Sequence, residues 1–157
     1  MEKITKELKS LSSFIGFMAL LQVFNMLNTF NTLNDADIIS SMAHVDLSSL
    51  GMTVESLVPV VKYMAMVPFV LSILVHIILS VKGHKEANDP SSAKAHIILA
   101  VIWIVVYALS TIGGVVELFN GNGDLVMKVL EVVISAASAM LLFYYTKLAK
   151  QVRTTEA

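Results

Sequence analysis

Long apolar runs alternate along the chain with short polar connections. Four runs reach the length of about 20 mostly apolar residues that a helix needs to cross a bilayer. They are residues 11–33, 57–81, 95–119 and 125–146. The connections are an outer loop (34–56), an inner loop (82–94) and an outer turn (120–124), which leave no room for a soluble domain. The pattern predicts an all-α integral membrane protein, a single four-span domain over 1–157 folded as an antiparallel left-handed bundle.

Local punctuation refines the boundaries. Thr53 and Ser56 suit the entry to the second span, and Gly83 suits its stop. Asp89-Pro90 reads as a cap and first turn for the third helix. The Asn120 to Asp124 turn makes the last two helices antiparallel neighbours. Pro68 predicts a kink in the second span, because its ring displaces the usual donor to the Met64 carbonyl. In the outer loop, Ile38, Ile39, Met42 and Val45 repeat at helical spacing opposite Asp37 and Ser41, which predicts a short interfacial helix.

Polar residues within the spans follow the same periodicity. His96, Trp103, Ser110 and Glu117 recur every seven residues in the third span, with Ala100, Tyr107 and Gly114 between them. Lys128, Glu131, Ser135, Ser138, Leu142 and Tyr145 alternate by three and four in the fourth, as do Lys62, Met66, Phe69, Ile73 and His76 in the second. Gln22, Asn25, Thr29 and Thr32 do so in the first. A repeat averaging 3.5 residues holds one stripe toward the partner helices. The stripes are therefore expected to be buried, with Val and Ile positions facing lipid.

Composition agrees: the chain is 56% hydrophobic and 15% charged, with a mean hydropathy of +0.76. Soluble domains carry about 25% charged residues. The net charge of -1 offers no field for nucleic acid, and zero cysteines exclude thiolate chemistry. The 11 basic residues are unevenly placed. Apart from Lys62 and Lys128, they are Lys3, Lys6, Lys9, Lys82, Lys85, Lys94, Lys147, Lys150 and Arg153, all on one side of the spans. The opposite connections carry Asp35, Asp37, Asp46 and Asp124 and no Lys or Arg. The positive-inside rule then puts both termini in the cytoplasm and the protein in the cell membrane. A cleavable signal peptide ending near Ser41-Met42-Ala43 is the competing reading, disfavoured because that site lies far beyond the apolar run.

Asn25, Asn28, Lys62, Glu117, Lys128 and Glu131 all fall in the outer half of the spans and form the candidate polar pocket. Lys62 and Glu131 lie at similar depth, roughly 8 and 9 Å below their helix ends on helical rise, so they are expected to pair. Lys128 and Glu117 form the shallower pair. The bland alternative is that these groups only tie helices together, since polar contacts in membranes average about 0.6 kcal/mol. The Gln22, Asn25, Asn28, Asn31 and Asn34 ladder would also suit a hydrophilic path. His76 and His96 are the candidates for a haem or metal, though hydrogen-bonded interface histidines explain them as well. His84, with Glu86 and Asp89, reads as a solvated loop, and Gly113-Gly114 with the Ser135 to Ala139 run as close-packing surfaces.

No catalytic motif, phosphate loop or lipidation box is present, so no enzyme activity, metal or cofactor is expected. Three functions follow in order of preference. The first is a non-enzymatic accessory, regulatory or immunity-like protein acting through the bilayer and a membrane partner or second copy. The second is a small oligomeric transporter or channel. The third is a haem- or metal-binding membrane anchor. On the topology, a reporter fused after Ala157 should remain cytoplasmic, and a cysteine at Ser49 should label from outside intact cells. An exported C-terminus would sink the assignment.

Overall fold

The computed structural model describes residues 2–42, 51, 53–89, 94–120 and 125–156. Among these the chain forms five helices: α1 (Glu2–Thr32), α2 (Asp35–Met42), α3 (Val54–Asn88), α4 (Ala95–Phe119) and α5 (Leu125–Glu156). Four of them, α1, α3, α4 and α5, are long and apolar enough to cross a membrane. The expected Val45, Pro90 and 121–124 features lie outside the described residues.

Helix ends differ from expectation where polar residues continue the helical pattern. Thr53 caps α3 as expected, its hydroxyl accepting the Ser56 N–H at 3.3 Å while Ser56 Oγ donates to the Thr53 carbonyl at 2.7 Å. Asn34 does the same for α2 through the Ala36 N–H at 3.1 Å, and the short helix buries Ile38. Gly83 does not end α3, which runs on to Asn88 with both Pro59 and Pro68 inside it. Asp89 belongs to that helix end too, its N–H bonding the Lys85 carbonyl at 2.8 Å. It therefore does not cap α4, which starts at Ala95 with Lys94 at the cap.

The helices divide into two compact units: Met1–Gly16 with Ile78–Ala157, and Phe17–Ile77. In the first unit, Leu8, Ile15, Leu79, Leu142, Tyr145, Leu148 and Val152 are buried at the basic end, where Lys82, Lys94 and Lys150 cluster in sequence around the helix ends. Two glycines admit close approach here. A Cβ on Gly83 would meet the Ser12 hydroxyl and come within 2.6 Å of the Tyr145 ring, and one on Gly16 would lie 2.7 Å from Ser80 Oγ. Gly83 is thus a packing residue, not a stop. In the second unit, the buried positions Ala19, Ile38, Val58, Met66 and Val75 come from α1, α2 and α3.

Large apolar residues are also exposed, among them Phe24, Met64, Leu109, Phe119, Val126 and Met140, while Ser12, Ser72, His76, Glu86, His96, Ser138 and Thr146 are buried within the apolar cores. Exposed apolar faces of this kind suit hydrocarbon and are a liability in water. The expected stripe is buried at Met66, His76, His96, Ala100, Ser138, Leu142 and Tyr145. It fails at Asn25, Ser110, Glu117 and Glu131, which are exposed. Gly113, Gly114 and Ser135 are too small to close the space between α4 and α5 at the last three.

Glycine substitutions should separate these environments by sign. Alanine at Gly83 should destabilise the protein by about 1–3 kcal/mol through overpacking. Alanine at Gly113, where nothing lies within 4 Å, should stabilise it by about 0.5–1 kcal/mol through helix propensity. Thermal unfolding in detergent measures both, and equal shifts would refute the packing role of Gly83.

Candidate functional site

The candidate pocket residues fall into the two units. In the first, Glu117 on α4 and Lys128 on α5 form the expected ion pair at 3.0 Å. Ser110 and Ser135 hydroxyls lie 3.4 Å apart across the same two helices, and Val132 packs where Gly114 lacks a side chain. Glu131 joins them. Together Ser110, Gly113, Gly114, Glu117, Glu131, Val132 and Ser135 line an open cavity of about 280 Å³. The heptad spacing brings these residues together because positions seven apart on α4 face positions seven apart on α5.

Lys62 behaves differently. Its partner is Asp35 in the first turn of α2, not Glu131. Its ammonium also stands 6.0 Å from the centroid of the Phe30 ring, which in turn lies 6.5 Å from Tyr63. Depth alone misassigned this pair: Asp35, three residues past the end of α1, stands beside Lys62. The two residues, with Phe30, Val58, Pro59 and Tyr63, line a cavity of about 210 Å³. Asn25 and Asn28 are exposed on α1 in this second unit, and neither lines that cavity.

The histidine candidates are also in different units. His76 donates from Nδ1 to the Ser72 carbonyl one turn back, at 2.6 Å, which fixes its ring within its own helix. His96 sits at the start of α4 with Nε2 3.8 Å from Glu86 Oε2 and its ring edge-on to Tyr145, centroids 6.1 Å apart. Among the described residues no three His, Asp or Glu side chains gather as a metal set.

The most organised polar cluster is one that sequence reading placed in a solvated loop. Glu86 lies inside α3 with a side-chain exposure of 0%. Both its oxygens face Arg153 of α5: Oε1 pairs with Nε, and Oε2 accepts from Nη2 at 2.7 Å. His96 Nε2 stands on the Oε2 side of the same carboxylate. Beside it, the Tyr145 hydroxyl donates to the Leu79 carbonyl at 3.0 Å, so the layer ties α3, α4 and α5. His84 is likewise helical, and its Nε2 lies 3.1 Å from Ser13 Oγ of α1. The sequence signal was available: Leu79, Gly83 and Glu86 continue the three-and-four spacing beyond the apolar run, as do Leu142, Tyr145, Ala149 and Val152 on α5.

A buried carboxylate held by an arginine through one hydrogen bond, Nη2 to Oε2, and a second close Nε–Oε1 contact is a positional lock. Compared with known proteins, the chain matches no family model, no curated protein and no solved structure.

The lock has a measurable signature. Glu86→Gln and Arg153→Met should each destabilise the protein by about 3–5 kcal/mol, because each strands the other partner. The double variant should lose less than the sum of the two. A double-mutant cycle on thermal unfolding in detergent reads the coupling, and additive losses would rule it out.

Proposed function

We propose that this chain is a non-enzymatic protein of the cell membrane, of the accessory, regulatory or immunity-like kind, which works by contacting a membrane partner. In this reading the four spans form one antiparallel left-handed bundle with both termini in the cytoplasm. The distribution of Lys and Arg supports that orientation. The pairings Ser110–Ser135 and Glu117–Lys128, which descend α5 as they climb α4, support antiparallel packing of that pair.

The observation that carries the functional reading is the buried layer around Glu86 at the basic end of the first unit. Leu8, Ile15, Leu79, Leu142 and Val152 are buried around Glu86, whose charge is committed to Arg153. A permeation path needs hydrated or polar groups in series, and this layer supplies packed methyl groups and a fixed ion pair. The opposite end of α4 and α5 instead presents small residues, Gly113, Gly114 and Ser135, beside Glu131. Small faces allow close helix approach in lipid, and the Glu131 carboxylate, beside a Glu117 already paired with Lys128, gives a partner something to recognise.

The transporter reading rests on that same Glu131 in its open cavity, and one experiment separates the two. The purified chain is reconstituted in liposomes and tested for proton and monovalent-cation flux, with Glu131→Gln alongside. In parallel, a photo-cross-linking residue at Gly113 is activated in native membranes. The partner reading expects no flux and one discrete cross-linked membrane protein. Flux that disappears in Glu131→Gln would replace it with transport.

A further inference from the structure

At the basic end of the first unit, α4 and α5 leave a groove of about 520 Å³ between them. From α4 it is lined by Lys94, Ile97, Ile98 and Val101, spaced at three, four and seven residues and therefore on one face. From α5 it is lined by Lys150, Arg153 and Thr154, again at three and four. Ile97 is buried and forms the floor, while Ile98 and Val101 stand exposed along the wall. The groove is apolar in its depth and cationic at its mouth.

The charges at the mouth are unequal in their commitments. Arg153 is held by Glu86, which cancels its charge and fixes its position. Among the described residues, Lys94 and Lys150 have no acidic partner. Both are exposed. Lys94 immediately precedes the apolar helix α4, and Lys150 follows the apolar part of α5. In a bilayer that places the two ammonium groups at the hydrocarbon boundary, where lipid phosphates lie. Val101 is seven residues further along α4, so the apolar wall extends about 10 Å toward the membrane centre.

We propose that this groove is a binding site for an anionic glycerophospholipid. Its phosphate is held between Lys94 and Lys150, and one acyl chain lies along Ile97, Ile98 and Val101. The charge and the depth argue together for this occupant. Two uncompensated cations call for an anion, and an apolar wall continuing inward from them calls for a hydrocarbon tail on that anion. A soluble anion would leave Ile98 and Val101 uncovered, and a zwitterionic lipid would leave the lysine pair uncompensated. Basic pockets between helices at a membrane surface bind acidic head groups on the same principle.

The test is native mass spectrometry of the full chain, released from detergent with added phosphatidylglycerol or phosphatidylcholine. Phosphatidylglycerol should be retained preferentially by the unmodified protein. The double variant Lys94→Gln/Lys150→Gln should bind it about 30-fold more weakly, from roughly 1 kcal/mol for each surface lysine. Lys82→Gln/Lys85→Gln removes two exposed charges from α3 outside the groove and should change binding by less than about threefold. Val101→Trp, which fills the apolar wall, should reduce retention while leaving both lysines in place. Glycerol 3-phosphate, the headgroup chemistry without chains, should not compete. Equal retention of the two lipids by the unmodified protein would overturn the proposal. Equal losses in the two lysine variants, or competition by glycerol 3-phosphate, would overturn it as well.

Discussion

The Glu86–Arg153 contact is the constraint around which the first unit is arranged. A carboxylate with no exposure is tolerable only beside a fixed cation, and Arg153 reaches it from a helix that begins well after α3 ends. Everything near the pair serves that meeting. Gly83, one turn before Glu86, lets Tyr145 and Ser12 approach α3. Tyr145 spends its hydroxyl on the Leu79 carbonyl and its ring on His96. The apolar side chains of Leu8, Leu79, Leu148 and Val152 then exclude water from the layer, which strengthens the pair electrostatically.

Most of the fold was legible because hydropathy and charge are long-range averages. The four apolar helices, the short α2 and the Thr53 cap all follow from runs and spacings that need no knowledge of neighbours. The Glu117–Lys128 pair was legible too, since a tight turn leaves few ways to align two helices. What escaped was decided by packing. Lys62 was matched by depth to Glu131, whereas the junction of α1 and α2 sets Asp35 beside it. Glu86 was misread because a hydropathy window stops where charged residues begin, although the helical spacing continues past that edge. Gly83 carried two meanings in sequence, a helix stop and a close-packing site, and its neighbours selected the second.

The two ends of α4 and α5 are built on different principles. Toward the basic end, α5 is tied to α3 by the Glu86–Arg153 pair, and an apolar groove lined by Ile97, Ile98 and Val101 runs between α4 and α5. Toward Gly114 and Ser135 they are separated by small residues, with carboxylates on an open face. The exposed apolar residues on the outer sides of the same helices, such as Leu109 and Val133, are then the lipid-facing complement of both ends.

The separation of 67 residues between Glu86 and Arg153 also orders events in time. At a synthesis rate of about 5–20 residues per second, the carboxylate leaves the ribosome roughly 3–13 s before the guanidinium that will neutralise it. During that interval α3 carries an unanswered negative charge at the level where lipid head groups and water are still accessible, so the vacancy is tolerable. Closure must therefore wait for the final helix.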